Sequence, residues 1–397
     1  MNFRSFYDRL RVLTCGTAIF LIAGCGGSSS SGGTLGVSLT DAPACSSGVT
    51  DVYLTVTEVR IHQSATAQPT DSGWIDITLP TPLQVDLTKL TNGVLQSLGT
   101  TALPAGQYQQ IRLMLASTNS ANYVIDGSGS HPLTVPSGLQ TGIKLIGQFT
   151  VSANTLSDVV LDFDACRSVV TAGNSGTYLL KPVISIDPVV VSGTIDGYVA
   201  PTVAAATAVT ISAQIYNAST GVTVVKSTVA DSTGHFTLSP VLDTAYQTNV
   251  PYQIVITANG ETAMDIGGVT VSAGATVNLN TSSSPIQFTS SSTAAASGSV
   301  TVNNTPATAT IEALQKFPGT LQAEIGFTNA DSVTGAYSAT LPTSVALFAT
   351  YSSTGLSAFA PDSANAAAQY LLVADAGTGT TKSTSVTVPA TGVNFAF

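Results

Sequence analysis

The feature that most constrains this chain is a repeated two-residue alternation of apolar and polar side chains, with almost no stretch of helical period. Val52, Leu54 and Val56 alternate with Tyr53, Thr55 and Thr57, after which the apolar set shifts phase to Val59 and Ile61. Successive side chains of a strand point to opposite faces, so this alternation builds half-buried strands. A one-residue slip of phase is the mark of a β-bulge. Ile111, Leu113 and Leu115 alternate again, as do Ile143, Leu145, Phe149 and Val151; Leu161 and Phe163 oppose Asp162 and Asp164. Turn signals separate these runs at Pro104-Ala105-Gly106, Asp126-Gly127, Pro136-Ser137-Gly138 and Gly173-Asn174. Only residues 87–98 leave room for a short helix. The pattern predicts an all-β chain built of sandwiches. At 397 residues it is too long for one ordinary domain. Charged residues make up 9% against about 25% in a typical soluble protein. Hydrophobic residues make up 44%, so the chain lacks the low hydrophobicity and high charge of disorder. With a net charge of −10 and no basic stripe, nucleic acid is excluded as an expected partner.

The N-terminus has a separate logic. Arg4, Arg9 and Arg11 precede an apolar run from 12 to 23, shorter than the roughly 20 residues a spanning helix needs. Leu21-Ile22-Ala23-Gly24-Cys25 then follows the lipobox pattern, with small residues before a cysteine. Residues 1–24 therefore read as a lipoprotein signal peptide, and Cys25 as the lipidated first residue of the mature chain. Two or three acyl chains anchor stably where one binds only marginally. Residues 25–33 read as a Gly/Ser tether, a composition that behaves as flexible coil. The expected location is the cell envelope, and the outer membrane if the cell is Gram-negative. Cys45 and Cys166 remain in the mature chain, and an oxidising compartment favours one disulfide between them.

Several motifs in order carry a resemblance. Gly36-Val37-Ser38-Leu39-Thr40-Asp41-Ala42-Pro43 opens the segment, and Asp86-Leu87-Thr88-Lys89-Leu90-Thr91-Asn92-Gly93 follows. Next come Leu103-Pro104-Ala105-Gly106-Gln107-Tyr108, Leu161-Asp162-Phe163-Asp164-Ala165 and Leu180-Lys181-Pro182-Val183-Ile184. Residues 34–192 thereby closely resemble domain-of-unknown-function family 4382, found in bacterial secreted and lipid-anchored proteins. The resemblance implies a location and a fold, and no activity. Cys45 and Cys166 stand outside the family pattern, so the bridge rests on the compartment alone.

The second half repeats itself. Ser192-Gly193-Thr194-Ile195 matches Ser297-Gly298-Ser299-Val300, and Val209-Thr210-Ile211-Ser212-Ala213 matches Ala309-Thr310-Ile311-Glu312-Ala313. Asp231-Ser232-Thr233-Gly234-His235-Phe236 matches Asp331-Ser332-Val333-Thr334-Gly335-Ala336-Tyr337 with one residue inserted. Asp caps the turn, Gly takes the positive φ, and the aromatic re-enters the core. This Asp-x-x-Gly-x-aromatic hairpin resembles carboxypeptidase-regulatory-like, prealbumin-type sandwiches. The expected domains are 193–281 and a diverged copy at 282–397, with 282–297 as a linker. In all, three tandem sandwiches follow the tether.

Little in the sequence points to reaction chemistry. His62, His131 and His235 are the whole histidine supply, none paired at metal-ligand spacing. No Gly-x-Ser-x-Gly elbow or phosphate loop occurs. No catalysis and no cofactor are expected. Asp41, Asp162 and Asp164 are weak candidates for a calcium site, which needs six to eight oxygens. Trp74 is the one tryptophan available as a sugar platform. The expected role is structural, adhesive or interactive in the cell envelope, with the membrane, an envelope protein or a glycan as partner. The alternative is a ligand-binding surface lipoprotein for glycan or calcium.

Overall fold

The alternating segments form strands, and helices are limited to single turns. The structure, a computed structural model, describes residues 32–41, 48–118, 120–136, 138–173, 176–247, 249–318, 321–361 and 366–397. Cys25, its lipobox and Cys45 lie outside the described residues. Gly32 and Gly33, expected in the tether, already belong to the strand Gly32–Asp41 and pair with Pro104 and Leu103. The folded body thus begins earlier than the composition suggested, because two glycines complete a ladder there.

Among the described residues, six sheets enclose three hydrophobic cores. In the first, a four-stranded sheet runs in the order Ile184–Pro188, Leu156–Phe163, Gly32–Asp41, Gln96–Pro104. It faces a larger sheet centred on Val49–His62 and Gly106–Leu115. Leu35, Leu39, Leu54, Ile61, Ile111 and Phe163 lie wholly buried between them. Each such side chain contributes about 1.5–3 kcal/mol of transfer free energy. The phase slip along Val49–His62 is a bulge between Val56 and Glu58, where the register shifts against both neighbouring strands. Of residues 87–98, only Leu87–Lys89 turn as a 3-10 helix, capped by the Asp86 side chain.

The second and third cores repeat one arrangement. Val209–Asn217 pairs with Gly221–Val229 and Tyr252–Ala258, as Thr310–Phe317 pairs with Leu321–Asn329 and Gln369–Asp375. Each copy is bulged at the same place, between Ala213 and Gln214 and between Ala313 and Leu314. The two Asp-Gly hairpins also coincide. Gly234 donates to the Asp231 carbonyl and Gly335 to the Asp331 carbonyl, both at 2.8 Å. Gly234 (φ +83°) and Gly335 (φ +67°) sit where a Cβ would collide with the carbonyls of Val199 and Val300. Only glycine meets both conditions.

Two expectations for the C-terminal half are corrected. The tract 282–297 is no free linker: Ile286 is buried in the second core, Glu261 bridges Ser290, and the strand Thr293–Val302 starts inside the tract. The third copy also lends a strand to the second, since Leu347–Ser352 pairs in parallel with Met264–Val269. The described residues accordingly form one compact unit.

Candidate functional site

The three aspartates singled out as calcium candidates lead to the most unusual part of the molecule. Parallel pairing of Gly32–Asp41 with Leu156–Phe163 sets Asp41 beside Phe163. Asp41 is buried, and its Oδ1 accepts the Ala165 N–H at 2.9 Å, holding the start of the helix Ala165–Ser168. Asp164 caps the same helix, accepting the Arg167 N–H at 2.9 Å and facing Arg167 Nε at 3.2 Å. Asp162 lies 3.0 Å from Lys226 Nζ. Asp162 and Asp164, expected on one strand face, border the same small cavity, but not as an open polar face. Asp164 has left the strand, and Asp162 is buried beneath the strand Gly221–Val229 that carries Lys226. Peptide N–H groups and cations occupy these carboxylates, and among the described residues no three potential ligands are arranged to hold a metal.

Around them lies a charge network that joins all three cores. Arg167, from the first, donates to Glu324 Oε1 and Oε2 at 2.5 and 2.6 Å and to Glu312 Oε1 at 3.3 Å, both of the third. Its guanidinium stands 4.1 Å over the Phe327 ring. The backbone of Glu324 is claimed by the second core: its N–H donates to Gln214 Oε1 at 2.8 Å and its carbonyl accepts from Gln214 Nε2 at 2.9 Å. Asn329 Nδ2 donates to the carbonyls of Cys166, Arg167 and Val169. Asp331, the cap of the third core's hairpin, accepts from Thr171 Oγ1 and the Gly173 N–H. On the other side, the Asn92 N–H donates to Thr228 Oγ1 and Asn92 Oδ1 accepts the Thr237 N–H. The Thr91-Asn92-Gly93 motif is therefore a docking turn against the second core.

Acid outnumbers base in this network. Asp162, Asp164, Asp187, Glu312 and Glu324 face Lys226 and Arg167. Burial raises the Asp187 carboxyl to about 7, with Lys226 opposing the shift and Asp162 adding to it. Burial and then the neighbouring Glu324 raise Glu312 to about 7, against the pull of Arg167. Burial brings Asp164 to about 6. Arg167 resists the same burial because Glu324 and Asp164 hold its charge. A cavity of about 80 Å³ touches Asp162, Asp164, Arg167, Ser185 and Lys226. That is far below the roughly 300 Å³ of a small-molecule pocket. The arrangement can clamp strands together and store protons; it has no room for a substrate.

The histidines sit elsewhere, and one grouping went unread in the sequence. Ser128 Oγ and Asp126 Oδ1 both contact His131 Nε2, at 2.8 and 3.0 Å, and Tyr178 Oη donates to Asp126 Oδ2 at 2.6 Å. A nucleophilic relay needs serine and aspartate on opposite ring nitrogens. Here both crowd the same one, and the group pins a hairpin. Its signal was the Asp-x-Ser-x-x-His spacing across that turn. His235 packs on Tyr198 and contacts Asp196 at 2.8 Å, so it is partly covered rather than freely solvated. Trp74 donates to the Gln68 carbonyl at 2.9 Å, with the guanidinium groups of Arg60 and Arg112 within 5.3 Å of its ring. A groove of about 460 Å³ between Thr381–Thr387 and residues 392–396 has no histidine, cysteine or carboxylate in its walls.

Known structures similar to this chain include a type II cohesin–X-dockerin complex of Acetivibrio cellulolyticus, at 25% identity over 25% of this chain and 58% of that one, with a TM-score of 0.18. A leucine-rich repeat protein of Bacteroides thetaiotaomicron matches at 15% identity over 65% of this chain and 27% of its own, with a TM-score of 0.18. The pilus adhesin SpaC of Lactobacillus rhamnosus matches at 9% identity over 89% and 40%, with a TM-score of 0.14. This chain thus spans little more than half the length of the first, and less of the others. No curated protein matches. Residues 32–182, the first sandwich up to its last strand, match the family model Domain of unknown function (DUF4382).

Proposed function

We propose that this is a lipid-anchored envelope protein whose folded body acts as a rigid structural or adhesive module, without catalysis. The observation that carries this reading is the junction at Glu324, whose side chain binds the first core and whose backbone binds the second. A chain of separate binding modules would be joined by solvated linkers, with relative motion as the default. Here buried ionic contacts tie each repeat to the DUF4382 segment, and hydrogen bonds and a shared strand tie the repeats to each other. The lipobox at Cys25, a few residues before the strand that starts at Gly32, supports the anchored reading.

The glycan alternative gains no support at Trp74, whose ring neighbours are arginines of its own domain. The calcium alternative gains none at Asp41, Asp162 and Asp164, which are engaged as described. Two measurements test the proposal. Membrane fractionation should retain the native chain and release Cys25→Ser; equal retention of both removes the lipid anchor. A glycan-array and pull-down screen of the full chain should give envelope-protein partners; saturable binding of one glycan would replace the structural role.

A further inference from the structure

Several exposed apolar side chains stand on segments that meet at the end of the body where the strand Gly32–Asp41 begins. Thr34 pairs in parallel with Leu156, so the start of Leu156–Phe163 lies beside the start of Gly32–Asp41. Ile184–Pro188 runs antiparallel to that strand, with Pro188 opposite Val159, and delivers the turn Val189–Val191 to the same end. The Asp243 N–H donates to the Val191 carbonyl, which brings the helix Thr244–Gln247 and Tyr246 alongside. Leu156 is 58% exposed, Val189 40%, Val190 75% and Tyr246 56%. The surrounding segments 152–158, 188–192, 243–247 and 272–276 hold no lysine or arginine, and their only charges are Asp158 and Asp243. Asp243 is already engaged by the N–H groups of Ala245, Tyr246 and Ala273.

We infer that Leu156, Val189, Val190 and Tyr246 form a second, apolar contact with the lipid surface, beside the acyl anchor. This rests on the lipid-anchor reading of Cys25. The occupant follows from where the chain leads. Only residues 26–31 separate Cys25 from Gly32, and even fully extended they reach about 25 Å. An anchor in the bilayer therefore keeps this end of the body within that reach of the headgroups. Apolar side chains with an aromatic among them are suited to that boundary. The lack of cationic residues makes the contact apolar, so it needs no anionic lipid and survives high salt.

The test uses the full lipidated chain in phosphatidylcholine vesicles with brominated acyl chains, carrying Val190→Trp or, as a second variant, Tyr246→Trp. Val94→Trp, near the opposite end of the strand Gly32–Asp41, is the control. Tryptophan at 190 and at 246 should emit to the blue and lose emission to bromine, in low and high salt alike, while Trp at 94 should not. Vesicle flotation separates the two claims. Protein that floats with Trp at 190 and 246 indifferent to bromine keeps its anchor and overturns the contact. A blue shift without bromine quenching means that protein covers the patch, a second copy included, and also overturns it. Protein that does not float overturns the contact together with the anchor.

Discussion

Arg167 sits on a helix of four residues, yet it meets three carboxylates: Asp164 of its own domain and Glu312 and Glu324 of the third core. Removing one partner of a buried ion pair leaves the other charged and unpaired, which costs about 3–5 kcal/mol. Arg167→Ala should lower the unfolding free energy by roughly that much in urea titration, and a loss under about 1 kcal/mol would mean the network is solvent-screened. The excess of acid has its own signature. Asp187 and Glu312 carry raised pKa values in the folded state, so that state keeps protons the unfolded chain has released. Their contribution is complete near pH 4 and is lost as pH rises to about 7, beyond which it stays lost. The melting midpoint should fall across that window, and less steeply in Glu312→Gln. A midpoint that climbs from pH 4 to 7 contradicts the assignment. These residues carried a faint signal in the sequence. In a chain with 9% charge, Lys226, Glu312 and Glu324 each interrupt a run of strand residues. Alternation says only that such a position faces away from the core. It does not say that another sandwich covers it.

At the scale of elements, local physics was legible and partnership was not. The bulge between Val56 and Glu58 and both Asp-Gly hairpins follow from side-chain phase and from the residues a positive φ demands. The strand Leu347–Ser352 could not be assigned to the second core, because its sequence does not name the sheet it joins. The paired hairpins give a matched experiment. Gly234→Ala and Gly335→Ala each combine a strained φ with a backbone collision, and each should cost about 1–3 kcal/mol. The Asp331 hairpin also docks on residues 171–173, so Gly335→Ala should in addition loosen the first core's hydrogen-exchange protection there. Equal protection in both variants would show the docking to be passive. We also propose the Cys45–Cys166 bridge on element geometry. Asp41 is bonded to the helix that carries Cys166, and Cys45 follows within about 14 Å of extended chain. Reduction should slow the chain on a denaturing gel and lower its melting midpoint, and Cys45→Ser should abolish both effects.

The folded body is one unit with three cores rather than a string of beads. Three cores were foreseeable from length, alternation and the internal repeat. Their fusion was not, since it depends on contacts between residues more than a hundred positions apart, such as Arg167 with Glu324 and Gln214 with Glu324. Sequence period carries no information at that range. The buried network is expected to make the three cores unfold together. Scanning calorimetry of the full chain near pH 5 tests it most directly. The native chain should give one cooperative transition, and Arg167→Ala should divide it into at least two. Separate transitions in the native chain, unmoved by Arg167→Ala, would contradict it.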